Sequence, residues 1–176
     1  MRDRSHTTRL VADFFSQSYR ISGSLDVSSR KLADRLEDRN TSFVRLENTY
    51  ISNIEHPADI VASHATSILR KDKIIAVVVA REEDGLSRKY TYGSYLGGHV
   101  QRAFLIVPAF EIQGYLRLSG KRDLRALLAG GDLFLPILDA EMKLSAHPDV
   151  TFSGGVILVN RAKIEALWEE EEPADG

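Results

Sequence analysis

Two stretches decide how this chain is read: "YRISGSLDVSSRKLADRLEDRNTSF", Tyr19 to Phe43, and "FEIQGYLRLSGKRDLRALLAGGDLF", Phe110 to Phe134. They carry one pattern in one order. Ile21, Gly23, Leu25, Ser28, Leu32, Leu36 and Phe43 fall on Ile112, Gly114, Leu116, Ser119, Leu124, Leu128 and Phe134. The match continues through His56-Pro57 onto His147-Pro148 and Lys73-Ile74 onto Lys163-Ile164. Such self-similarity predicts a supersecondary unit used twice.

Each copy opens with strict alternation. Tyr19, Ile21, Leu25 and Val27 stand against Arg20, Ser22, Ser24 and Asp26, and Phe110, Ile112, Leu116 and Leu118 against Glu111, Gln113, Tyr115 and Arg117. Period two predicts a half-buried strand, and the shared Gly23 and Gly114 inside it predict a bulge or a close backbone approach. Next, "RKLADRLED" and "KRDLRALLA" place leucines at i and i+4, a short helix with Ser28 or Ser29, and Ser119, as N-caps. Extended segments "FVRLENTYI" and "FLPILDAEMKL" follow, then a His-Pro turn, then strand, tight basic turn and strand. Taken alone, "NRAKIEALWEEEE" reads as a helix with an Asn cap. Its counterpart "RKDKIIAVVVARE" is β-branched, so Ile164 to Leu167 is expected as strand; "TTRLVADFF" is expected extended because its counterpart contains Pro108. Between the copies, Asp84-Gly85 and the alternating Tyr90 and Tyr92 predict a hairpin.

The expected fold class is therefore mainly β (α+β): two tandem small β-barrel or sandwich-like repeats, each with one short helix, related by a pseudo-two-fold. The expected organisation is a first repeat over 8–81, a linking hairpin and Gly-rich linker over 82–98, a second repeat over 99–168 and a disordered acidic tail over 169–176. One copy alone lies near the lower size limit for a stable core, and fusion lets one copy cover the open edge of the other.

Composition narrows the function classes. Of 176 residues 43% are hydrophobic, enough for a core, and the absence of cysteine removes disulfides, thiolate nucleophiles and thiolate metal sites together. The net charge of −2 conceals an acidic end, Glu169 to Glu172 with Asp175, on a mildly basic body. No run is long and apolar enough to span a bilayer and no signal-peptide pattern opens the chain, so a cytoplasmic protein with no membrane partner is expected.

The segment "ILRKDKIIAV" resembles the second Sm-type motif, an apolar strand entering a basic turn and leaving as another apolar strand. It departs from that motif by lacking the glycine, and the first Sm-type motif is missing where the helix stands. The whole pattern is more similar to an uncharacterised bacterial domain family with a duplicated small β module. Gly114, Leu116, Leu124, Leu128, Phe134, Ile137 and Ala140 carry that likeness; it implies a fold and no activity.

No catalytic constellation, cofactor motif or metal-ligand spacing emerges. His56 and His147 recur, but each precedes proline in a polar turn without a second ligand at strand or helix spacing. "GSYLGGH" lacks the order of a nucleophile elbow, and "LSGKRDL" lacks the other half of a phosphate loop. The leading expectation is a non-enzymatic binding or scaffolding protein that meets a protein partner or a second copy of itself. A rival reading is RNA or single-stranded nucleic-acid binding through basic turns, with Arg70, Lys71, Lys73, Arg88 and Lys89 on phosphates and Tyr90 and Tyr92 stacking on bases. A third is an enzyme with its site at the junction of the copies.

Overall fold

The computed structural model describes residues 8–87, 98–118 and 124–171. From Arg9 to Val79 the chain runs β1 (Arg9–Phe15), β2 (Tyr19–Asp26), α1 (Leu32–Glu37), β3 (Phe43–Asn53), β4 (Ile60–Arg70), a 3-10 turn (Lys71–Lys73) and β5 (Ala76–Val79). A helical turn, α2 (Glu82–Gly85), follows. From His99 to Glu169 come β6 (His99–Val107), β7 (Phe110–Leu118), α3 (Leu124–Ala129), β8 (Phe134–Leu144), β9 (Thr151–Asn160), a second 3-10 turn (Arg161–Lys163) and β10 (Ala166–Glu169).

The ten strands of the described residues join one antiparallel sheet in the order β10-β6-β7-β8-β9-β5-β1-β2-β3-β4. The sheet is open. Its centre is β5, paired with β1 on one side and with β9 on the other. Ala76, Val77, Val78 and Val79 are all buried, as a continuous apolar run requires when both faces of a strand are covered. One face of the junction belongs to a core in which Phe15, Ile75, Ala76 and Val78 pack with Leu105, Ile112, Met142 and Val159. On the other face Val77 and Val79 pack with Phe134, Val156 and Leu158. Neither core is confined to one half of the chain.

The glycines do what their place in the alternation predicted. Register shifts between Ser22 and Ser24 and between Gln113 and Tyr115, at Gly23 and Gly114. Opposite them Asn48 and Asp139 hold φ of 50° and 44°, the left-handed region that Asn and Asp tolerate better than other side chains. One extra residue on β3 and on β8 thus bends the sheet at matching points.

Several expectations change. Lys31, not Ser28 or Ser29, stands at the N-cap of α1 without a side-chain bond; the Ser28 amide and hydroxyl bond to Asp26 Oδ1 instead, forming a local turn. Ser119, the other expected cap, lies outside the described residues. Leu32 and Leu36 are fully buried, whereas Leu128 is exposed and α3 only half-buries Leu124 and Leu127. Asp84-Gly85, expected to turn a hairpin, closes α2, where a Cβ on Gly85 would sit 2.2 Å from Val156 Cγ1. The expected disordered tail begins too early. Glu169 is in β10, and Glu170 donates its amide to Arg102 O, accepts from Gln113 Nε2 and forms an ion pair with Arg102 Nε at 2.9 Å; residues 172–176 lie outside the described residues.

Stability of glycine variants checks this geometry. A Cβ on Gly114 would meet the Leu138 carbonyl at 2.8 Å and Ile137 Cγ2 at 2.6 Å, whereas one on Gly23 would meet only side chains, the nearest at 2.9 Å, and one on Gly131 nothing within 4 Å. Gly114→Ala is expected to cost about 2–3 kcal/mol and Gly23→Ala about 1 kcal/mol by denaturant unfolding, with Gly131→Ala near zero. Glu170→Ala should cost about 1 kcal/mol by loss of its half-buried partners.

Candidate functional site

Two concave surfaces flank the centre of the sheet. The first is a trough of about 420 Å³ in the first half, lined by Phe14, Ile21, Ile51, Ser67, Ile68 and Leu69, with His64, Arg70 and Lys73 along its rim. Beside it runs β4, one edge of the sheet, and among the described residues no strand pairs with its outer side. Most of β4 is exposed on both faces, with Ile60, Val61 and Ile68 60%, 64% and 67% accessible. Exposed apolar side chains beside unpaired backbone N–H and C=O groups are what a strand needs in order to accept another strand.

The second is a cleft of about 490 Å³ between the two 3-10 turns, lined by Asp38, Thr41, Lys71, Asp72, Asn160 and Lys163 among others. It lies where the enzyme reading would put a site, yet its inner polar groups are spent on one another. Lys71 Nζ donates to Asp38 O at 2.8 Å and to Thr41 Oγ1 at 2.9 Å. Asn160 Nδ2 donates to Ile74 O, and its Oδ1 accepts from Ala162 N. The Asn40 amide and the Arg30 guanidinium hold the Asp38 carboxyl below the usual carboxylate range, and Arg70 does the same to Asp72. Groups of this kind fasten two turns together.

The basic residues proposed from sequence separate into different roles. Lys71 is 7% exposed, and burial pushes its amine below the ordinary lysine value. Arg70 is exposed but forms a two-armed ion pair with Asp72, at 3.0 Å and 2.8 Å. Lys73 is exposed on the trough rim. Arg88, Lys89, Tyr90 and Tyr92 lie outside the described residues. Of the recurrent histidines, His147 meets Glu55 at 3.6 Å, the neighbour of His56, and no group of three or more His, Asp or Glu that would hold a metal occurs among the described residues.

The edge itself escaped sequence reading, although a signal existed. "GGVILVN" in β9 is apolar through both faces, whereas "HATSILR" in β4 mixes polar and apolar residues; the first pattern suits a strand covered on both sides and the second a strand at a boundary. Trp168, the single tryptophan of the chain, ends the expected second repeat and was given no role there; it lies against Phe104, with ring centroids 5.5 Å apart, and stays 47% exposed on β10, the opposite edge.

The division among the basic residues is testable by stability. Lys71→Ala is expected to cost about 2 kcal/mol in chemical denaturation, because it strands two acceptors served by a charged donor, while Arg70→Ser and Lys73→Ser should each stay within about 0.5 kcal/mol of the parent.

Comparison of the chain with family models, with curated proteins and with solved structures finds no match.

Proposed function

We propose that this chain is a non-enzymatic scaffold built from two fused copies of one small β module, and that it binds protein through the sheet edges the fusion leaves unpaired. The single observation that carries this reading is β4: eleven residues long, exposed on both faces, one side without a strand among the described residues, and set beside an apolar trough. Natural edge strands of that length are usually shortened, charged or covered. This one carries a single charged residue, Arg70 at its end, and leaves Ile60, Val61 and Ile68 in water.

Support for the module reading comes from the matched order of elements, the paired bulges at Gly23 and Gly114, and the identical placing of the two 3-10 turns. The relation between the modules that fits best is head to tail. β5 meets β9, whose counterpart in the first half is β4, so unlike edges join; a two-fold would set like edge against like edge. The likeness to the second Sm-type motif rests on the strand, turn and strand over 60–79 and bears on fold alone.

Against nucleic acid stands the fate of the basic turn, where Lys71 is buried and spent on Asp38 O and Thr41 Oγ1. Selection of strand-forming peptides from a random display library, followed by hydrogen exchange, tests the scaffold reading. Peptides that protect the β4 amides are expected, together with no salt-dependent binding of a mixed single-stranded oligonucleotide. Micromolar oligonucleotide binding that weakens steeply with salt and disappears when Arg70, Lys73, Arg161 and Lys163 become Ser would overturn it.

A further inference from the structure

The junction inside the chain is a template for a contact outside it. In the first half Ile75 N bonds Phe15 O and Ala76 pairs with Phe15; in the second half Glu165 N bonds Ile106 O and Ala166 pairs with Ile106. β10 therefore stands in the second half where β5 stands in the first. Likewise Phe43 pairs with Arg70 and Phe134 with Asn160, so β4 stands where β9 stands. β5 and β9 are joined to each other, while among the described residues β4 and β10 are the two free edges. Resting on the scaffold reading above, we infer that the partner is a second copy of this chain, which adds its β10 to β4 in the register that β5 takes on β9.

Burial follows the same logic. Val156 to Asn160 are all buried, whereas Thr66 to Arg70 are exposed or half-buried apart from Leu69; Ala76 to Val79 are buried, whereas Trp168 and Glu169 are exposed. Each pair of elements differs mainly in whether a neighbour is present. In the second half the surface of Leu105, Ile112, Met142 and Val159 is covered by Phe15, Ile75, Ala76 and Val78. The corresponding residues in the first half line the open trough: Phe14 and Leu69 are buried at its floor, while Ile21 and Ile51 are only half-buried. Ile106, Glu165, Ala166 and Trp168 of a second chain would reach it, with the Trp168 ring at the place of Val78.

The internal register pairs Ala76 with Val159 and Val77 with Leu158, and Asn160 N bonds Ile75 O. Carried to the free edges, it sets Ala166 against Leu69, Leu167 against Ile68 and Glu165 against Arg70. The last is an opposite-charge cross-strand pair, and both of its residues are exposed in the single chain. Two edges that differ join head to tail, and such contacts form rings or open chains.

Sedimentation velocity and native mass spectrometry of the full chain across a dilution series test the inference. Species at whole multiples of 19.7 kDa above the monomer are expected, with the Trp168 emission shifting to the blue as they form. Ile68→Lys should abolish association, and Arg70→Glu and Glu165→Arg should each weaken it about ten-fold. Mixing the two charge variants in equal amounts should restore it, since every junction then pairs a glutamate with an arginine. All three positions are exposed, so unchanged melting temperatures and circular dichroism separate lost association from lost folding. A monomer at every concentration, or association that mixing fails to restore, overturns the inference. If the chain is monomeric while selected peptides still protect β4, this inference falls and the scaffold reading stands; if neither binds, both fall.

Discussion

Four residue pairs, Ala76 with Val159 through Val79 with Val156, turn two short sheets into one. Their neighbourhood is shaped around them. Gly154 and Gly155 bring β9 so close to the end of β5 that a Cβ would lie 2.6 Å from Val79 O or 2.8 Å from Ala80 O. The Glu37 carboxylate accepts the amides of Leu133 and Phe134 at 2.8 Å each, tying the end of α1 to the start of β8. Asn160 closes the other end by bonding the backbone of Ile74. A strand covered on both faces and paired on both sides leaves no room for a polar side chain, which is why β5 reads as alanine and valine alone.

That central pairing also accounts for the unequal treatment of similar elements. α1 lies under the junction and buries Leu32, Ala33 and Leu36, whereas α3, with a leucine pattern of the same spacing, rests lightly on the outer part of the sheet and leaves Leu128 in water. Phe15 meets Phe110 edge-on at 5.6 Å and Phe152 at 4.6 Å, an aromatic contact that exists only because the second half supplies its partners. Position relative to the seam, more than sequence within each element, decides burial.

Local pattern made most of the elements legible. Alternation in β7 matched its burial residue by residue; Pro108 pointed to the strand Arg9–Phe15, and the β-branched run at 74–79 pointed to a strand near 164–167 that in fact begins two residues later, at Ala166, and runs to Glu169. What pattern alone could not supply was adjacency between distant strands. Nothing in "AVVV" says that its partner is β9 and not another copy of itself. The Asp84-Gly85 turn was misread because Gly85 is selected by the Val156 side chain across the junction, a tertiary demand invisible to a window of neighbours. Lys71 was counted as surface charge because a lysine in a polar turn usually is; its burial depends on Asp38 and Thr41, which belong to another loop. The tail was misjudged through Glu170, whose partners Arg102 and Gln113 lie on β6 and β7.

The central place of β5 has a price in time. Synthesis runs from the N-terminus, so the first half emerges with β1 to β5 complete while β9 is still unmade. During that interval an uncharged, β-branched strand waits with one side unpaired, the composition most apt to find a wrong partner. Its rightful partner is remote in sequence, and contacts of that kind close slowly. The feature that makes the finished sheet continuous therefore makes the unfinished chain vulnerable, and the acidic and basic residues of "REEDG", just after β5, are the nearest charges able to keep growing chains apart until the second half arrives.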